Sequence, residues 1–342
     1  MALVIVTSDR FADHLTPPGH PERVERAEVM QVVASEFRRR GGTVVEPRPA
    51  ADEALARIHA REYLGLIRET AGRAAALDLD TFTSPDTYDV ALLAAGAVLA
   101  GVDHVLDAGR GARAFAMVRP PGHHAERNRA MGFCLLNNVA VGAAHARARG
   151  LSRVAVVDYD VHHGNGTQWA FYDDPAVLYL SSHQSPFYPG TGAAEETGAG
   201  RGVGFTANFP LEAGATDADY ERVYAAIAGI LRQFRPELIL LSAGFDAHMD
   251  DPIGGMRLTA PQFGRLTALV AAVADECCEG RVVAVTEGGY DLKALATCLR
   301  VVVDVLDDPT ALDDLPVPGG DARRGHASLA AARPHLSQFW TI

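Results

Sequence analysis

The chain has 342 residues, of which 48% are hydrophobic and 22% are charged, and its formal net charge is −12. This composition is typical of a soluble globular protein with enough apolar surface for a large core. The acidic balance argues against general nucleic-acid binding, which requires clustered lysine and arginine.

The sequence gives no sign of a secretory or membrane-bound protein. Its four cysteines show no CxxC spacing and are interpreted as reduced thiols: Cys134, Cys277, Cys278 and Cys298. The first ten residues lack a basic start and a signal-peptide core. The apolar runs at 90–102 and 266–275 are too short or too interrupted to cross a bilayer. We therefore expect a cytoplasmic protein that binds neither nucleic acid nor membrane.

Short apolar segments alternate along the chain with longer segments of helical periodicity. The predicted strands are 2–7, 113–118, 153–159, 177–182, 237–243 and 281–286. The predicted helices are 22–40, 87–108, 134–149, 217–234, 260–278 and 291–306. Near-continuous apolar strands are typical of parallel strands covered on both faces. The alternation predicts a single three-layer α/β domain over 1–342, with one open, mostly parallel sheet between helices.

Three other segments carry local signals. Thr259, with Gln262 three residues later, predicts a capping box at the start of a helix. The glycine-rich loop 190–204 is interpreted as a site loop. The last thirty or so residues contain several prolines and glycines and are expected to wrap the surface.

Chemically versatile residues follow four of the predicted strands. They lie in RPPGHH (119–124), DYDVHHGNG (158–166), GFD (244–246) and EGGY (287–290). Ligands of an open α/β sheet bind outside the carboxyl ends of its strands. The sequence therefore predicts that these four loops converge on one site.

Asp160, His162 and Asp246 form a plausible metal-binding set. Asp160 and His162 are two residues apart, so in an extended segment they point the same way. Two carboxylates and one imidazole leave a coordination position open for water, as catalytic zinc sites do. Iron(II), cobalt and manganese also suit such an oxygen-rich set. Any one of these residues alone would be an ordinary turn or core residue, but the set favours a metal.

The tandem histidines His123 and His124 offer groups for proton transfer. Asp158 and Asn165 are expected to orient these two imidazoles. Tyr290 follows two glycines and is placed to donate a hydrogen bond to a developing oxyanion. Which histidine acts as acid and which as base stays open at this point.

Six motifs in order resemble those of the histone deacetylase family. They are RPPGHHA (119–125), MGFCLLNN (131–138), VVDYDVHHGNGTQ (156–168), LSAGFDAH (241–248), DDPIGG (250–255) and EGGYDL (287–292). The resemblance runs from GHPER at 19–23 to about residue 310. It implies the arginase/deacetylase fold and a zinc-dependent amide hydrolase that deacetylates N-acyl-lysine in proteins or peptides.

The resemblance also implies roles for individual residues. Asp160, His162 and Asp246 match the zinc ligands, and Tyr290 matches the tyrosine that binds the substrate carbonyl. His123 and His124 match the tandem histidines, with Asp158 paired to the first of them. The matching substrate-binding positions are Phe133 and Tyr188, an aromatic pair that walls a tunnel, together with Gly132 and Ile253. A second cation, potassium, is implied at Asp158, Asp160 and His162 with Ser181 and Ser182. Apart from the resemblance, Asp80 or Asp86, in the loop before helix 87–108, is a candidate for gripping the substrate backbone at the rim, and a solvated turn or cap residue is an equally good interpretation of either.

Two positions depart from the usual family pattern. Asn165 stands where the class I enzymes have aspartate, and HHGNG is the class II form. A neutral amide stabilises an imidazolium less than a carboxylate does, so we expect His124 to lose its proton more easily. Tyr188 replaces the more usual phenylalanine and makes the tunnel mouth more polar.

Several alternatives share part of this pattern. An acetylpolyamine amidohydrolase has the same chemistry, but Ile253 is apolar where one such enzyme would place an acidic gate. A catalytically silent acyl-lysine binding module is opposed by the intact metal set and Tyr290. An arginase-like ureohydrolase would need more aspartates. The substrate, the acyl length and the oligomeric state, including a possible homo-oligomer, stay open.

Overall fold

The computed structural model describes residues 3–342, so the first residue of predicted strand 2–7 lies outside the described residues. Eight parallel strands form the central sheet in the order β2-β1-β5-β10-β9-β6-β7-β8. The strands are β1 (Leu3–Val6), β2 (Thr43–Val45), β5 (Arg113–Ala116), β6 (Val154–Asp158), β7 (Val177–Gln184), β8 (Thr206–Leu211), β9 (Leu238–Ala243) and β10 (Val282–Thr286). A separate antiparallel pair joins β3 (Ala75–Ala76) to β4 (Phe82–Thr83).

Ten α-helices are present among residues 3–342. They are α1 (Glu25–Arg39), α2 (Asp52–Leu55), α3 (Arg61–Arg68), α4 (Thr87–Asp107), α5 (Asn138–Ala148), α6 (Asn165–Ala170), α7 (Asp217–Phe234), α8 (Ala260–Cys277), α9 (Leu292–Asp307) and α10 (Arg323–Leu336). Short 3-10 helices cover Asp9–Asp13, Gly200–Gly202 and Pro309–Asp314.

The sheet separates two apolar cores. Successive strand side chains point to opposite faces, so in β6 Ala155 and Val157 enter one core while Val154 and Val156 enter the other. Helices α1, α7, α8, α9 and α10 cover the first face, and α3, α4 and α5 cover the second. The predicted parallel sheet with helices on both sides is confirmed.

Helix α4 is long and apolar enough to cross a membrane by length and composition alone. It packs against β5 and α5, and 61% of its most apolar window is buried inside the protein. A buried flank of the sheet explains its apolar character without a bilayer.

The structure corrects three local expectations. The predicted sheet lacked β2 and β8, which lie at its two edges. The C-terminal segment does not merely wrap the surface, because Leu329, Ala332 and Leu336 of α10 enter the core. Helix α5 begins at Asn138, capped by the Asn137 side chain, and not at residue 134.

The predicted capping box at Thr259 is wrong. The Thr259 hydroxyl donates to Asp217 at 2.8 Å, and Gln262 donates to Glu221. The capping box forms instead between Thr216 and Asp219 at the start of α7. Thr259 and Gln262 thus bind side chains of α7 instead of each other, and this tertiary contact fixes the start of α8.

Candidate active site

Four neighbouring strands at the centre of the sheet place the candidate residues. In sheet order, β5, β10, β9 and β6 lead into the loops 119–124, 287–290, 244–246 and 158–166. Because the strands are parallel, their carboxyl ends lie at one edge. The predicted convergence of the four loops is confirmed.

Asp160, His162 and Asp246 form a compact buried cluster. One potential ligand atom from each lies within 4.8 Å of the others. The His162 Nδ1 atom lies 3.0 Å from an Asp160 carboxylate oxygen and 3.1 Å from an Asp246 oxygen. Backbone N–H groups hold the carboxylates in place: Val161 donates to Asp246 at 2.9 Å and Gly288 donates to Asp160 at 2.8 Å.

This donor set fits a divalent cation. Burial and the neighbouring Asp160 charge raise the pKa of Asp246, as expected when two carboxylates are held together in a buried site. Two glycines leave room beside the oxygens. A Cβ atom at Gly244 would lie 1.9 Å from an Asp160 oxygen, and one at Gly288 would lie 2.1 Å from an Asp246 oxygen. Two carboxylates and an imidazole are ligands that suit zinc.

His123 is held by a carboxylate. Its Nδ1 atom lies 3.0 Å from Asp158, and its backbone N–H donates to Glu287 at 3.1 Å. Burial opposes the charged imidazole, but the charges of Asp160, Asp158 and Glu287 outweigh it and raise the pKa of His123 to about 10. His123 therefore favours the charged form.

His124 has the opposite electrostatic environment. Its ring centroid lies 4.1 Å from that of His123, and its Nδ1 atom lies 2.8 Å from the Asn165 side-chain oxygen. Burial, followed by the charges of His123 and His162, holds the pKa of His124 well below its usual value. Two adjacent imidazoles with separated pKa values can divide acid and base roles between them.

The loop that carries Tyr290 is fixed by two buried charged side chains. Asp251 accepts from the Tyr290 N–H at 2.7 Å, and Arg26 donates to the Gly289 carbonyl at 2.8 Å. The Arg26 guanidinium also lies 5.1 Å from the Tyr290 ring centroid. The ring meets Phe133 edge to face, with centroids 5.8 Å apart.

A cavity of about 220 Å³ opens above this cluster. It is lined by Asp80, Pro121, His123, His124, Gly132, Phe133, His162, Phe187, Tyr188, Ile253, Gly288 and Tyr290. The four predicted substrate-binding residues thus line one cavity with the predicted histidines and Tyr290. Asp80 also lines it, whereas Asp86 does not.

Three residues at the site had no predicted role: Phe187, and Asp251 and Glu287, which lie inside the quoted motifs. Phe187 stacks on the His162 ring with centroids 5.1 Å apart. Glu287 accepts from the backbone of Gly122 and His123 and from the Ser242 hydroxyl. A charged residue directly after a buried strand was a signal that could have identified Glu287.

The predicted potassium site stays a prediction. The Ser181 hydroxyl is 2.9 Å from His183 Nδ1, and the Ser182 hydroxyl donates to Tyr224 at 3.4 Å. Both predicted side chains therefore have protein partners.

The chain is similar in sequence to known deacetylases and amidohydrolases. The histone deacetylase domain matches residues 20–306. A probable deacetylase of Archaeoglobus fulgidus is 40% identical over 86% of this chain and 82% of its own. A histone deacetylase-like amidohydrolase of Pseudomonas aeruginosa is 41% identical over 75% of this chain and 69% of its own.

The human polyamine deacetylase HDAC10 is 40% identical over 93% of this chain, which spans about half (49%) of the human protein. A crystal structure of the HDA15 HD domain superposes with a TM-score of 0.90 at 32% identity, covering 99% of this chain and 95% of the other. The domain match, the level of identity and the shared fold agree with the site geometry. The chain therefore belongs to the histone deacetylase family, whose members include deacetylases and amidohydrolases, and it has the arginase/deacetylase fold.

Proposed function

We propose that this protein is a zinc-dependent deacetylase that hydrolyses the amide bond of N-acyl-lysine in proteins or peptides. The supporting observation is the buried Asp160–His162–Asp246 cluster at a cavity that His124 and Tyr290 also line. A structural metal site would be closed by protein ligands, whereas this cluster borders a cavity.

Asp160, His162 and Asp246 would hold the zinc ion. When bound, zinc would polarise the acyl carbonyl and lower the pKa of a water molecule. The Gly288 N–H bond to Asp160 and the Val161 N–H bond to Asp246 hold the two carboxylates in position for this task.

The tandem histidines divide the proton transfers in this proposal. His124, neutral at physiological pH, accepts a proton from the attacking water and later returns it to the leaving amine. His123 stays charged through its bond to Asp158 and stabilises negative charge in the transition state. The Asn165 side-chain oxygen accepts a hydrogen bond from His124 Nδ1–H. The other ring nitrogen, Nε2, is therefore free to accept the proton in the reaction.

Tyr290 donates a hydrogen bond to the oxygen that becomes negative as the carbonyl is attacked. Burial raises the pKa of the Tyr290 hydroxyl well above its usual value, so the phenol keeps its proton. Asp251 and Arg26 fix the peptide group that joins Gly289 to Tyr290 and reduce the cost of aligning the Tyr290 side chain.

The cavity favours an extended aliphatic chain. Phe133, Phe187 and Tyr188 supply aromatic walls, and Ile253 adds an apolar side chain. A lysine stem suits such a surface because its methylene groups bury apolar area while the amide reaches the polar end. A polyamine substrate has a second, charged amine that a carboxylate would recognise. Ile253 gives this part of the cavity an apolar side chain instead, which favours a lysine substrate.

Acetate release tests the proposal. Purified protein loaded with zinc would be assayed with acetyl-lysine peptides, longer acyl-lysine peptides and acetylspermidine. We expect the highest kcat/KM on an acyl-lysine peptide. A preference for acetylspermidine would support polyamine deacetylation instead, and binding of acyl-lysine without turnover would indicate a silent binding module.

A further inference from the structure

A chain of hydrogen bonds leads from His124 through Asn165 to a carboxylate outside the predicted site. His124 Nδ1 lies 2.8 Å from the Asn165 side-chain oxygen. On its other side, the Asn165 side-chain nitrogen donates to the Glu126 carboxylate at 2.8 Å. Asn165 is buried, with an exposed fraction of 1%, whereas Glu126 is only partly buried.

The surroundings of the Asn165 amide determine which end faces His124. Its nitrogen meets three acceptors, namely the Glu126 carboxylate, the His124 carbonyl oxygen and the Met131 sulfur at 3.4 Å. A rotated amide would place its oxygen against the Glu126 carboxylate, where two acceptors repel each other. The carboxylate cannot compensate for a rotated amide, because an ionised carboxylate accepts hydrogen bonds and has none to donate.

The orientation of the amide in turn determines the tautomer of His124. Because the Asn165 oxygen faces Nδ1, Nδ1 of His124 must carry the hydrogen. Nε2 then keeps its lone pair, which a general base requires. If the Asn165 amide were reversed, its nitrogen would donate to His124 Nδ1 and the ring hydrogen would lie on Nε2. His124 Nε2 could then no longer act as a base.

Glu126 is itself held in position by its backbone. Its N–H donates to the Arg129 carbonyl at 2.9 Å in a tight turn, and its carbonyl oxygen accepts from His59 Nδ1 at 3.0 Å. Gly166 lets the start of α6 approach this segment, since a Cβ atom there would lie 2.3 Å from the Ala125 carbonyl oxygen. The backbone that carries the Glu126 side chain is therefore fixed beside Asn165.

We propose that Glu126 is a positioning residue that orients the Asn165 amide and thereby fixes the catalytic tautomer of His124. This inference rests on the proposed function in one respect, that His124 is the base. It explains how an enzyme with a neutral amide beside His124 keeps that imidazole in one form. In this chain the carboxylate charge of Glu126 is separated from the His124 imidazole by the Asn165 side chain. With aspartate at position 165, the charge would contact the imidazole directly.

Substitutions that reverse the polarity of the chain of hydrogen bonds test the proposal. In the zinc-loaded full chain, Glu126→Ala should lower kcat about tenfold with little change in KM. Glu126→Lys should lower kcat further, because an ammonium attracts the amide oxygen away from His124. Glu126→Gln, which keeps an acceptor oxygen, should stay within about threefold of the wild type.

The double variant Glu126→Lys/Asn165→Asp is the decisive case. Its carboxylate would accept from both His124 and the new lysine, so we expect kcat about tenfold above that of either single variant. In Asn165→Asp alone, the new carboxylate would face the Glu126 carboxylate at hydrogen-bond distance. Because the two negative charges repel each other, we expect this variant to lose activity. The matched control is Glu62→Ala, which removes an exposed carboxylate on α3 and should leave kcat unchanged.

Two outcomes would overturn the inference: wild-type kcat in both Glu126→Ala and Glu126→Lys, or a double variant no better than the poorer single variant. Melting temperatures show whether each variant folds, and Glu126→Ala carries the same test if Glu126→Lys does not fold. A ¹⁵N NMR spectrum of labelled histidines adds a readout independent of turnover. It should show His124 protonated on Nδ1 in the wild type and a changed tautomer in Glu126→Lys. A wild type without activity on any acyl substrate would refute the proposed function while this NMR comparison still tests Glu126.

Discussion

At the scale of single residues, the Tyr290 hydroxyl is the group most directly tied to the proposed chemistry. We expect Tyr290→Phe to reduce kcat roughly 10²–10³-fold, the usual effect of removing one oxyanion donor. Folding should be retained because the ring still meets Phe133 and Arg26. Steady-state kinetics would check this, with Tyr172→Phe, which lies outside the cavity lining, as the control. Near-normal turnover of Tyr290→Phe would contradict the assigned role.

Gly132 offers a second test at this scale. Its φ is +56°, and a Cβ atom would lie 2.4 Å from the His124 ring. Gly132→Ala should therefore displace His124 and lower kcat by roughly 10²-fold, since a misplacement of about 1 Å can cost that much. Gly200→Ala is the matched control, with φ of +53° and nothing within 4 Å of its Cβ position. Equal losses of activity in the two variants would attribute the effect to backbone strain and not to His124.

Individual residues were predictable where a motif ends a strand. Asp160, His162 and Asp246 follow β6 and β9 directly, so strand prediction sufficed to bring them together. Phe187 and Asp251 were not predictable in this way. Their contacts depend on how two loops fold back over the site, and neither loop has a periodic pattern.

At the scale of elements, His59 joins the turn at 126–129 to the start of α5. Its Nδ1 donates to the Glu126 carbonyl, and its Nε2 accepts from the Asn137 N–H at 2.9 Å. The bond that Nε2 accepts requires the neutral imidazole, because both ring nitrogens of a protonated histidine are donors. Burial lowers the pKa of His59 to about 4, against an ordinary value of 6.5.

This difference gives His59 a defined contribution to acid stability. Because the folded pKa lies below the unfolded pKa, the contribution is complete above pH 6.5 and is lost as the pH falls towards 4. The separation corresponds to roughly 3 kcal/mol of unfolding free energy. Urea unfolding between pH 4 and 7 should show a shallower pH dependence for His59→Gln than for the wild type. An identical dependence would contradict this assignment, and His326→Gln, at an exposed histidine, is the control.

The predicted elements succeeded where the apolar pattern was strong. Strand β9 and helix α7 were predicted within a residue because their buried faces are continuous or strictly periodic. Strand β2 has only three residues, and β8 contains Asn208 and Pro210, so neither shows a strand pattern. Both are edge strands, where proline is tolerated. Helix α10 follows a segment rich in proline and glycine and contains Pro334, which hid its periodicity.

At the scale of the whole molecule, the fold brings together distant segments at one edge of the sheet. A buried ion group reinforces this arrangement: Glu22 accepts two bonds from Arg119, at 2.5 and 2.8 Å, and one from Arg26 at 2.8 Å. Arg119 belongs to the loop of the tandem histidines, and Arg26 holds the Tyr290 loop. Removing one partner of such a buried group leaves an unpaired charge, which costs about 3–5 kcal/mol.

Glu22→Gln should therefore destabilise the whole protein, and not only the N-terminal segment. Both guanidinium groups would lose their carboxylate partner. We expect a single unfolding transition at a lower temperature, measured by calorimetry, together with lower activity in the folded protein. Glu62→Ala, at an exposed carboxylate, should leave the transition unchanged. A wild-type melting temperature for Glu22→Gln would contradict the proposed coupling.

A divalent cation held by Asp160, His162 and Asp246 is central to the proposed function. Equilibrium dialysis of the metal-free protein against zinc, with metal content measured per chain, tests this most directly. We predict one tightly bound ion in the wild type and in Glu62→Ala, and none in Asp246→Ala at the same free zinc concentration. Zinc bound equally by the wild type and Asp246→Ala, or by neither, would contradict the account.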